Sequence, residues 1–378
     1  MDFNLSSEQQ MVVNSVKELA ENKIKPFAME LEEKGEFNMD AFKDMAKMGL
    51  FALPFDEKVN GAKDYLSYIL SVEEISKVCG STGIAYSVQV SLCAGGIDKF
   101  GSEEQKEKYL KPLASGEKIG AFCLTEPNAG TDASGVETVA EKRGDKYVLN
   151  GKKCFITNGP LADVYLVFAK TDKDAGTRGI SAFIVDRESE GLSIGKIENK
   201  MGIRSAQVSE IIFEDCEVSA ENLVLDEGKG FRIAMAVLDG GRIGVAAQGL
   251  GIAEGAFDEV IKYMKERKQF GKPISSFQGL QWIIADMDAK IEQARYLVYK
   301  AAMDKQEGKP YSVSAARAKL VATDAAMYVT TNAVQLMGGY GFMKDYPVER
   351  MMRDAKITQI YEGTNQVQKM IISGNAFR

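Results

Sequence analysis

Histidine is absent from the 378-residue sequence. This absence excludes a histidine general base, a Ser-His or Cys-His nucleophile pair and every metal site built on histidine ligands. Acid–base chemistry must therefore fall to a carboxylate, a lysine, a tyrosine or a cysteine. The five cysteines are scattered and form no Cys-x-x-Cys pair, so we expect free thiols, no metal site and a reducing cytoplasm as the location.

The sequence also has no basic excess, no secretory signal and no strongly hydrophobic run. Acidic residues outnumber basic ones, 54 to 47, which argues against a nucleic-acid-binding surface. The first residues, Met1 to Leu5, lack a basic region followed by an apolar run, so no leader is expected. Residues 78–97 are uncharged, yet serine, threonine, glutamine and glycine interrupt them, which predicts a buried helix and not a membrane span.

Hydrophobic periodicity divides the chain into three zones. Helical spacing predicts roughly four to six helices up to about residue 118, the first of which begins with a capping box at Ser6 and Gln9. A period of two then predicts a small β domain. After Gly228 and Gly230 the helical period returns in long stretches, at about 231–267, 277–306, 312–337 and 346–373. We predict an α+β fold that is mainly α: an N-terminal helical domain (1–118), a middle β domain (119–229) and a C-terminal four-helix bundle (230–378).

The β zone contains three candidate features. The Asn150-Gly151 pair, between two β-rich runs, predicts a hairpin turn. Phe155 and Thr157 then share one face of a strand, where an aromatic side chain is most often part of the core. The segment Leu124 to Asp132 leaves a strand in a turn rich in hydroxyls and backbone N–H groups, which suits a polar ring edge or a phosphate, or is an ordinary loop.

The C-terminal zone contains two interruptions of the helical pattern. At the second one, Thr364 or Asn365 can cap the following helix, and Glu362 projects from the turn, where a carboxylate can also merely complement the helix dipole. The glycines between 338 and 341 favour close backbone approach to a ligand or simple C-capping. No Gly-Lys pair has P-loop spacing, and Gly249 and Gly251 lack the third glycine of the dinucleotide fingerprint, so Rossmann-type NAD binding is disfavoured.

Taken together, six segments resemble the acyl-CoA dehydrogenase family, in order and over essentially the whole chain. The resemblance is closest to the short-chain branch, the butyryl-CoA dehydrogenases of anaerobic bacteria. The segments are Leu124–Asp132, Phe155–Asn158, Leu238–Arg242, Arg267–Pro273, Gln335–Gly341 and Arg353–Thr364. The acyl-CoA dehydrogenase fold, with its helical, β and four-helix domains, agrees with the three zones.

The resemblance implies a bound FAD that takes a hydride from Cβ of an acyl-CoA thioester while a glutamate removes the Cα proton. Glu362 matches that base, which suits a chain without histidine. The Cα proton is weakly acidic, so the thioester carbonyl must be polarised in a site that excludes water. In the family the polarising donors are the backbone N–H of the base and a ribityl hydroxyl of the flavin.

The same resemblance implies the contact residues. Those on the strands and loop beside the flavin are Phe122, Leu124, Thr125, Thr131, Phe155, Ile156 and Thr157. Those that match contacts to the FAD of a neighbouring subunit are Arg267, Gln269, Phe270, Gln278, Gln335, Gly338 and Gly339, and Thr364 and Gln366 match FAD contacts after the base. Substrate contacts are Thr131, Asp239, Arg242, Tyr361 and Gly363, with Arg242 able to supply a cation for a CoA phosphate. An intersubunit site implies an obligate oligomer, typically a homotetramer.

Departures from the family pattern narrow the prediction. Phe155 stands where many relatives have tryptophan, Gly241 stands where isovaleryl- and long-chain-type members carry the base, and no arginine lies near Gly83 to pair a dicarboxylic substrate. We therefore favour interconversion of butyryl-CoA and crotonyl-CoA, with electrons exchanged through an electron-transferring flavoprotein. The alternatives are an acryloyl-CoA or other enoyl-CoA reductase of the same family, and a non-catalytic acyl-CoA-binding scaffold. The direction of the reaction stays open.

Overall fold

The computed structural model describes residues 5–377 of the chain, which begins with a layer of helices. Ser6 and Gln9 form the predicted capping box at the start of the first helix. The helices are α1 (Ser7–Leu19), α2 (Lys25–Lys34), α3 (Met39–Lys47), α4 (Tyr65–Val78), α5 (Gly80–Val88), α6 (Gly95–Phe100), α7 (Glu103–Gln105) and α8 (Lys111–Ser115). The π-helical turns that join neighbouring helices are Ala20–Ile24, Gln89–Ala94 and Lys106–Leu110.

A seven-stranded sheet follows the first helices. The strands are β1 (Gly120–Cys123), β2 (Val139–Arg143), β3 (Lys146–Thr157), β4 (Val164–Lys170), β5 (Ile180–Asp186), β6 (Leu192–Ile197) and β7 (Val208–Ser219). Their order is β1-β4-β2-β3-β7-β6, and β5 pairs with β4. The pair β1–β4 is parallel, whereas β3 pairs with β2 and β7 in antiparallel register, so β3 lies in the interior of the sheet.

The predicted hairpin turn at Asn150-Gly151 is wrong. Both residues lie inside β3, and the turn that joins β2 to β3 contains Gly144 instead, with a φ of 65°. Gly151 accompanies a register shift between β3 and β7, and a Cβ at this position would lie 2.5 Å from the Thr138 hydroxyl. The glycine therefore permits a bulge and a close approach of two strands, which is the other common use of glycine within a strand.

The C-terminal part consists of long helices and one small hairpin. The helices are α9 (Gly230–Glu266), α10 (Gln278–Gln306), α11 (Ser312–Met337), α12 (Val348–Thr358) and α13 (Asn365–Ala376), and the hairpin strands are β8 (Lys268–Gln269) and β9 (Lys272–Pro273). The last predicted helical stretch, 346–373, is thus two helices separated by a turn, and this turn contains Glu362. The domain boundaries at 118 and 229 stay predictions.

Helix α9 forms the centre of the helical core. It packs against α4, α5, α10, α11 and α12, and every residue from Gly240 to Ala256 is buried. The uncharged segment before α6 is also buried, as predicted, and α5 within it packs against α9. Between residues 5 and 377, no helix combines the length and apolar character needed to cross a bilayer.

Candidate active site

The turn between α12 and α13 holds Glu362 in an uncommon backbone conformation. Glu362 and Gly363 have φ values of 52° and 90°. The Thr364 hydroxyl caps α13 by accepting a hydrogen bond from the Val367 N–H at 3.4 Å. A left-handed backbone costs a residue with a side chain about 1–3 kcal/mol, and such strain is concentrated at functional sites. The two flanking helices therefore maintain a strained turn around Glu362.

The Glu362 carboxyl is buried and free of hydrogen bonds at one oxygen. Its Oε2 has no partner among residues 5–377. Burial raises the pKa of Glu362 to about 7, and the charges of Arg242 and Lys319 oppose this rise. Helix α9 leaves room for the carboxyl, since a Cβ on Gly241 would lie 2.1 Å from Oε2. A buried carboxyl with a pKa near neutrality and a free oxygen is suited to proton transfer.

Four of the predicted substrate residues, Asp239, Arg242, Tyr361 and Gly363, meet at this turn. Arg242 pairs with Asp239 through Nη1, and its Nε donates to the Glu362 carbonyl oxygen at 3.4 Å. The Tyr361 hydroxyl donates to the side-chain oxygen of Gln248, which the sequence did not single out. Arg242 is only 6% exposed. Its guanidinium thus holds the turn, and its contact with a CoA phosphate stays a prediction.

The first group of predicted cofactor residues lies where β1 ends beside β3. Phe122 is in β1, and Leu124 and Thr125 follow it directly. The Thr125 carbonyl accepts a hydrogen bond from the Cys154 N–H at 2.9 Å, which brings the exit of β1 next to the end of β3. Thr131 is exposed in the loop that follows. The structure therefore brings the strand residues of this group together at one place.

Phe155 is exposed by an irregularity in β3. The register of β3 against β7 shifts between Lys153 and Ile156, Phe155 has a φ of 58°, and its side chain is 65% exposed while Ile156 is buried. The ring is therefore not part of the core, where an aromatic in a β domain is usually found. An exposed ring held by a strained backbone, with the Thr157 hydroxyl two residues later, is suited to contact with a planar ligand.

A buried ion pair that sequence reasoning missed fixes the exit of β1 to β3. Lys153 and Glu126 are 0% and 3% exposed, and their charged atoms lie 2.6 Å apart. Lys153 also donates to the Leu124 carbonyl at 3.2 Å, and Glu126 accepts the Thr138 N–H at 3.1 Å. Burial opposes ionisation of Glu126, yet the Lys153 charge and these hydrogen bonds hold its pKa below the usual value. Nothing in the local pattern marks Lys153, rather than Lys152, as the buried lysine.

The second group of predicted cofactor residues surrounds a cavity of about 750 Å³. Its lining includes Arg267, Gln269, Phe270, Gln335, Gly338 and Gly339. The lining also includes Gly279 and Leu280, close to Trp282, which is the single tryptophan of the sequence and is 63% exposed. Within residues 5–377, no residue of β1 or β3 contributes to this lining, and the predicted contacts Gln278, Thr364 and Gln366 lie outside it.

Both groups fit the chemistry of FAD. The first group, called the strand group below, combines an exposed aromatic ring with hydroxyls, which suits a flavin ring and its polar edge. Its members are Phe122, Leu124, Thr125, Thr131, Phe155, Ile156 and Thr157. The second group, called the cavity group below, combines the Arg267 cation with the side-chain amides of Gln269 and Gln335. The backbone at Gly338 and Gly339 is accessible, since a Cβ on either glycine would meet no atom within 4 Å. Such a set suits phosphates and polar groups. The separation of the two groups within one chain agrees with a site shared between subunits.

Comparison with family models covers most of the chain. The N-terminal, middle and C-terminal domain models of acyl-CoA dehydrogenase match residues 6–117, 121–216 and 228–377. The chain belongs to the acyl-CoA dehydrogenase family. The fold class and the family predicted from the sequence are thereby confirmed.

This acyl-CoA dehydrogenase is similar to relatives along its full length. It is 61% identical to the short-chain specific acyl-CoA dehydrogenase of Clostridium acetobutylicum, with 100% of both chains covered. Its structure matches the butyryl-CoA dehydrogenase of Megasphaera elsdenii with a TM-score of 0.99, 54% identity and full coverage of both chains. A chain from a structure described as the electron transferring flavoprotein of Acidaminococcus fermentans also matches, with a TM-score of 0.99, 57% identity and full coverage of both chains.

Proposed function

We propose that this acyl-CoA dehydrogenase is an FAD-dependent short-chain enzyme that interconverts butyryl-CoA and crotonyl-CoA, with Glu362 as the base. The observation that carries the proposal is the buried carboxyl of Glu362, whose Oε2 has no hydrogen-bond partner in the part of the chain that the structure describes. An oxygen without a donor retains a lone pair for the proton of the substrate. The similarity to short-chain and butyryl-CoA dehydrogenases supports the choice of a C4 acyl group.

The chain supplies the proton transfer and the positioning. When bound, FAD supplies the hydride acceptor for Cβ of the acyl group. Glu362 removes the Cα proton in one direction and returns it in the other, because both directions pass through the same transition state. Gly241 keeps α9 clear of the carboxylate, and the Tyr361–Gln248 hydrogen bond ties the turn to α9. These contacts limit the movement of the base before the substrate binds.

We propose that FAD is held by the strand group, the cavity group and the residues after the base. The strand group is Phe122, Leu124, Thr125, Thr131, Phe155, Ile156 and Thr157. The cavity group is Arg267, Gln269, Phe270, Gln335, Gly338 and Gly339, with Gln278 at the start of α10. Thr364 and Gln366 complete the set at the start of α13.

Exposed apolar side chains in the C-terminal part support a homotetramer as the functional unit. The large ones that are more than half exposed are Phe270, Trp282, Phe342, Met370 and Phe377. Exposed apolar side chains of this size lose contact with water when subunits associate, which favours assembly through this part of the chain. A shared interface there would bring the cavity of one subunit to the strand group of its neighbour.

We also propose an electron-transferring flavoprotein as the redox partner and the cytoplasm as the location. The similarity to a chain from a structure of such a flavoprotein supports the partner. All five cysteines are buried free thiols, which supports a reducing compartment.

Anaerobic titration with butyryl-CoA, followed through the visible spectrum of the FAD-bound protein, tests the proposal. We expect the oxidised flavin bands to bleach in the natural protein. Glu362→Gln retains the shape of the side chain but cannot accept a proton, so we expect bleaching to slow by about 10²- to 10⁴-fold. Glu190→Gln, at an exposed position before β6, is the matched control and should bleach at the natural rate.

Each other outcome has a defined meaning. Natural bleaching rates in Glu362→Gln would refute the role of Glu362. Bleaching with propionyl-CoA and not with butyryl-CoA would replace crotonyl-CoA by acryloyl-CoA as the enoyl partner. A protein that stays colourless after FAD is added would contradict the enzyme assignment and favour an acyl-CoA-binding scaffold.

A further inference from the structure

Lys319 is a fully buried lysine in α11 that contacts the turn of Glu362. It is 0% exposed, and its Nζ donates to the Gly363 carbonyl at 3.0 Å and to the Asn365 side-chain oxygen at 2.9 Å. Burying an ammonium group is costly unless polar partners surround it. The partners here belong to the turn, so the lysine and the turn stabilise each other.

The backbone carbonyls of Glu362 and Gly363 are each held by a buried basic side chain. Arg242 Nε donates to the carbonyl of Glu362 at 3.4 Å, and Lys319 Nζ donates to the carbonyl of Gly363. Gln368 Nε2 adds a second hydrogen bond to the Gly363 carbonyl at 2.7 Å. Arg242 and Lys319 thus bind the backbone, whereas Oε2 of the carboxyl has no partner among the described residues.

A hydrogen-bond network connects Lys319 to the start of α13, the helix that follows the turn. Asn365 Nδ2 donates to Thr323 Oγ1 at 3.0 Å and to Asp324 Oδ1 at 2.8 Å. The Thr323 hydroxyl in turn donates to the carbonyl of Lys319 at 2.7 Å, one helical turn earlier in α11. The lysine is therefore anchored in α11, and α13 begins at Asn365, the other end of the same network.

Burial lowers the pKa of Lys319 to about 7, against the opposing charge of Glu362, and below this pH the lysine charge acts on Glu362 without touching its carboxyl. Burial raises the pKa of Glu362, and the nearby positive charges of Arg242 and Lys319 lower it again. A direct ion pair would lower the pKa further and block the oxygen that takes the proton. Because Lys319 binds the Gly363 carbonyl and not the carboxylate, its charge lies near Glu362 while Oε2 stays free.

We propose that Lys319 is a positioning residue for Glu362: it fixes the strained turn through the Gly363 carbonyl and leaves the carboxylate free for proton transfer. This inference rests on the proposed role of Glu362 as the base. It goes beyond that role, because it makes the position of the Glu362 carboxylate depend on a residue in α11.

The test compares Lys319→Met with the natural protein in two measurements. The first is the rate constant for anaerobic flavin bleaching by butyryl-CoA between pH 6 and 9. Because a misplaced base is slow, we expect a fall of about 10- to 100-fold at high pH. Lys319 is charged mainly below about pH 7, and removing that charge favours the protonated carboxyl, so the midpoint of the pH profile should move upward and the deficit should grow as the pH falls.

The second measurement needs no turnover. In infrared spectra of the resting enzyme we expect a protonated-carboxyl band from Glu362, which its absence in Glu362→Gln identifies. In Lys319→Met we expect this band to persist to higher pH than in the natural protein. Asn365→Leu removes a hydrogen-bond acceptor of Lys319 but leaves the lysine in place. We therefore expect it to lower the rate with a smaller shift of the pH midpoint. This variant replaces Lys319→Met in the test if Lys319→Met fails to fold.

Lys305→Met is the matched control. Lys305, in α10, is a half-buried lysine whose pKa burial also lowers to about 7, and its Nζ lies 3.9 Å from the centre of the Tyr65 ring. We expect a natural rate and pH midpoint in this variant. If folded Lys319→Met, or Asn365→Leu in its place, keeps the natural rate and midpoint while Glu362→Gln is inactive, the inference is overturned. Natural activity in Glu362→Gln would instead overturn the proposed base itself.

Discussion

At the scale of single residues, the Glu362 carboxyl occupies space that is free because Gly241 has no side chain. A Cβ on Gly241 would lie 2.1 Å from Oε2 of Glu362 and 2.6 Å from Cδ2 of Leu92. Gly241 lies within α9 and has ordinary helical geometry, so the helix itself tolerates alanine there. The glycine is therefore explained by the space that the carboxyl occupies and not by the backbone.

We expect Gly241→Ala to displace the carboxyl and to slow flavin bleaching by butyryl-CoA about 10- to 100-fold, because small displacements of reacting groups have effects of this size. Stopped-flow spectrophotometry measures the rate. Gly374→Ala in α13 is the control, since its added Cβ would meet no atom within 4 Å. Equal rates in the two variants would contradict the steric role of Gly241.

At the scale of helices and strands, the sequence predicts what local interactions determine. The capping box of Ser6 and the break at Gly363 involve residues a few positions apart, and both predictions are confirmed. The failed hairpin at Asn150-Gly151 and the unexpected exposure of Phe155 have another origin. Both depend on register shifts between β3 and β7, strands that are distant in sequence. No local pattern contains that pairing.

The buried Lys153–Glu126 pair ties the exit of β1 to β3. Removing one partner of a buried ion pair leaves the other charge uncompensated, so we expect Lys153→Met to lower the free energy of unfolding by about 3–5 kcal/mol. The exit of β1 should also loosen and weaken FAD binding. Urea denaturation at fixed protein concentration measures the first effect, and FAD titration of the apoprotein measures the second.

Lys152→Met is the control for this prediction. Lys152 pairs with Glu210 at 2.5 Å, but its side chain is 43% exposed. Exposed ion pairs contribute about 0–1 kcal/mol, so the stability and the FAD affinity of this variant should stay close to natural. A similar loss of stability and FAD affinity in both variants would show that the effect does not depend on the burial of Lys153.

At the scale of the whole molecule, the proposed cofactor site is shared between subunits. The cavity group and the strand group each contain part of the proposed cofactor contacts, and the C-terminal part exposes large apolar side chains. A charge placed in a covered interface is strongly unfavourable. We therefore expect Phe342→Glu, at a side chain that is 78% exposed in one chain, to give species smaller than a tetramer and to release FAD.

Light scattering coupled to size-exclusion chromatography measures the mass, and the ratio of visible to ultraviolet absorbance measures the FAD content. Met11→Glu in α1 is the control, because Met11 is also exposed, at 69%, but lies in the N-terminal helices. It should keep both the tetramer and the cofactor. Loss of mass without loss of FAD in Phe342→Glu would argue against a cofactor site between subunits.

Trp282 gives the molecule a built-in optical reporter. Because the sequence contains one tryptophan, all indole fluorescence comes from a single position, in α10 next to residues that line the cavity. The emission maximum of an exposed indole shifts to shorter wavelength when the ring is covered, and a nearby flavin quenches indole emission by energy transfer. Assembly and cofactor uptake can therefore be followed separately in real time, without a label and with one emitting group per chain.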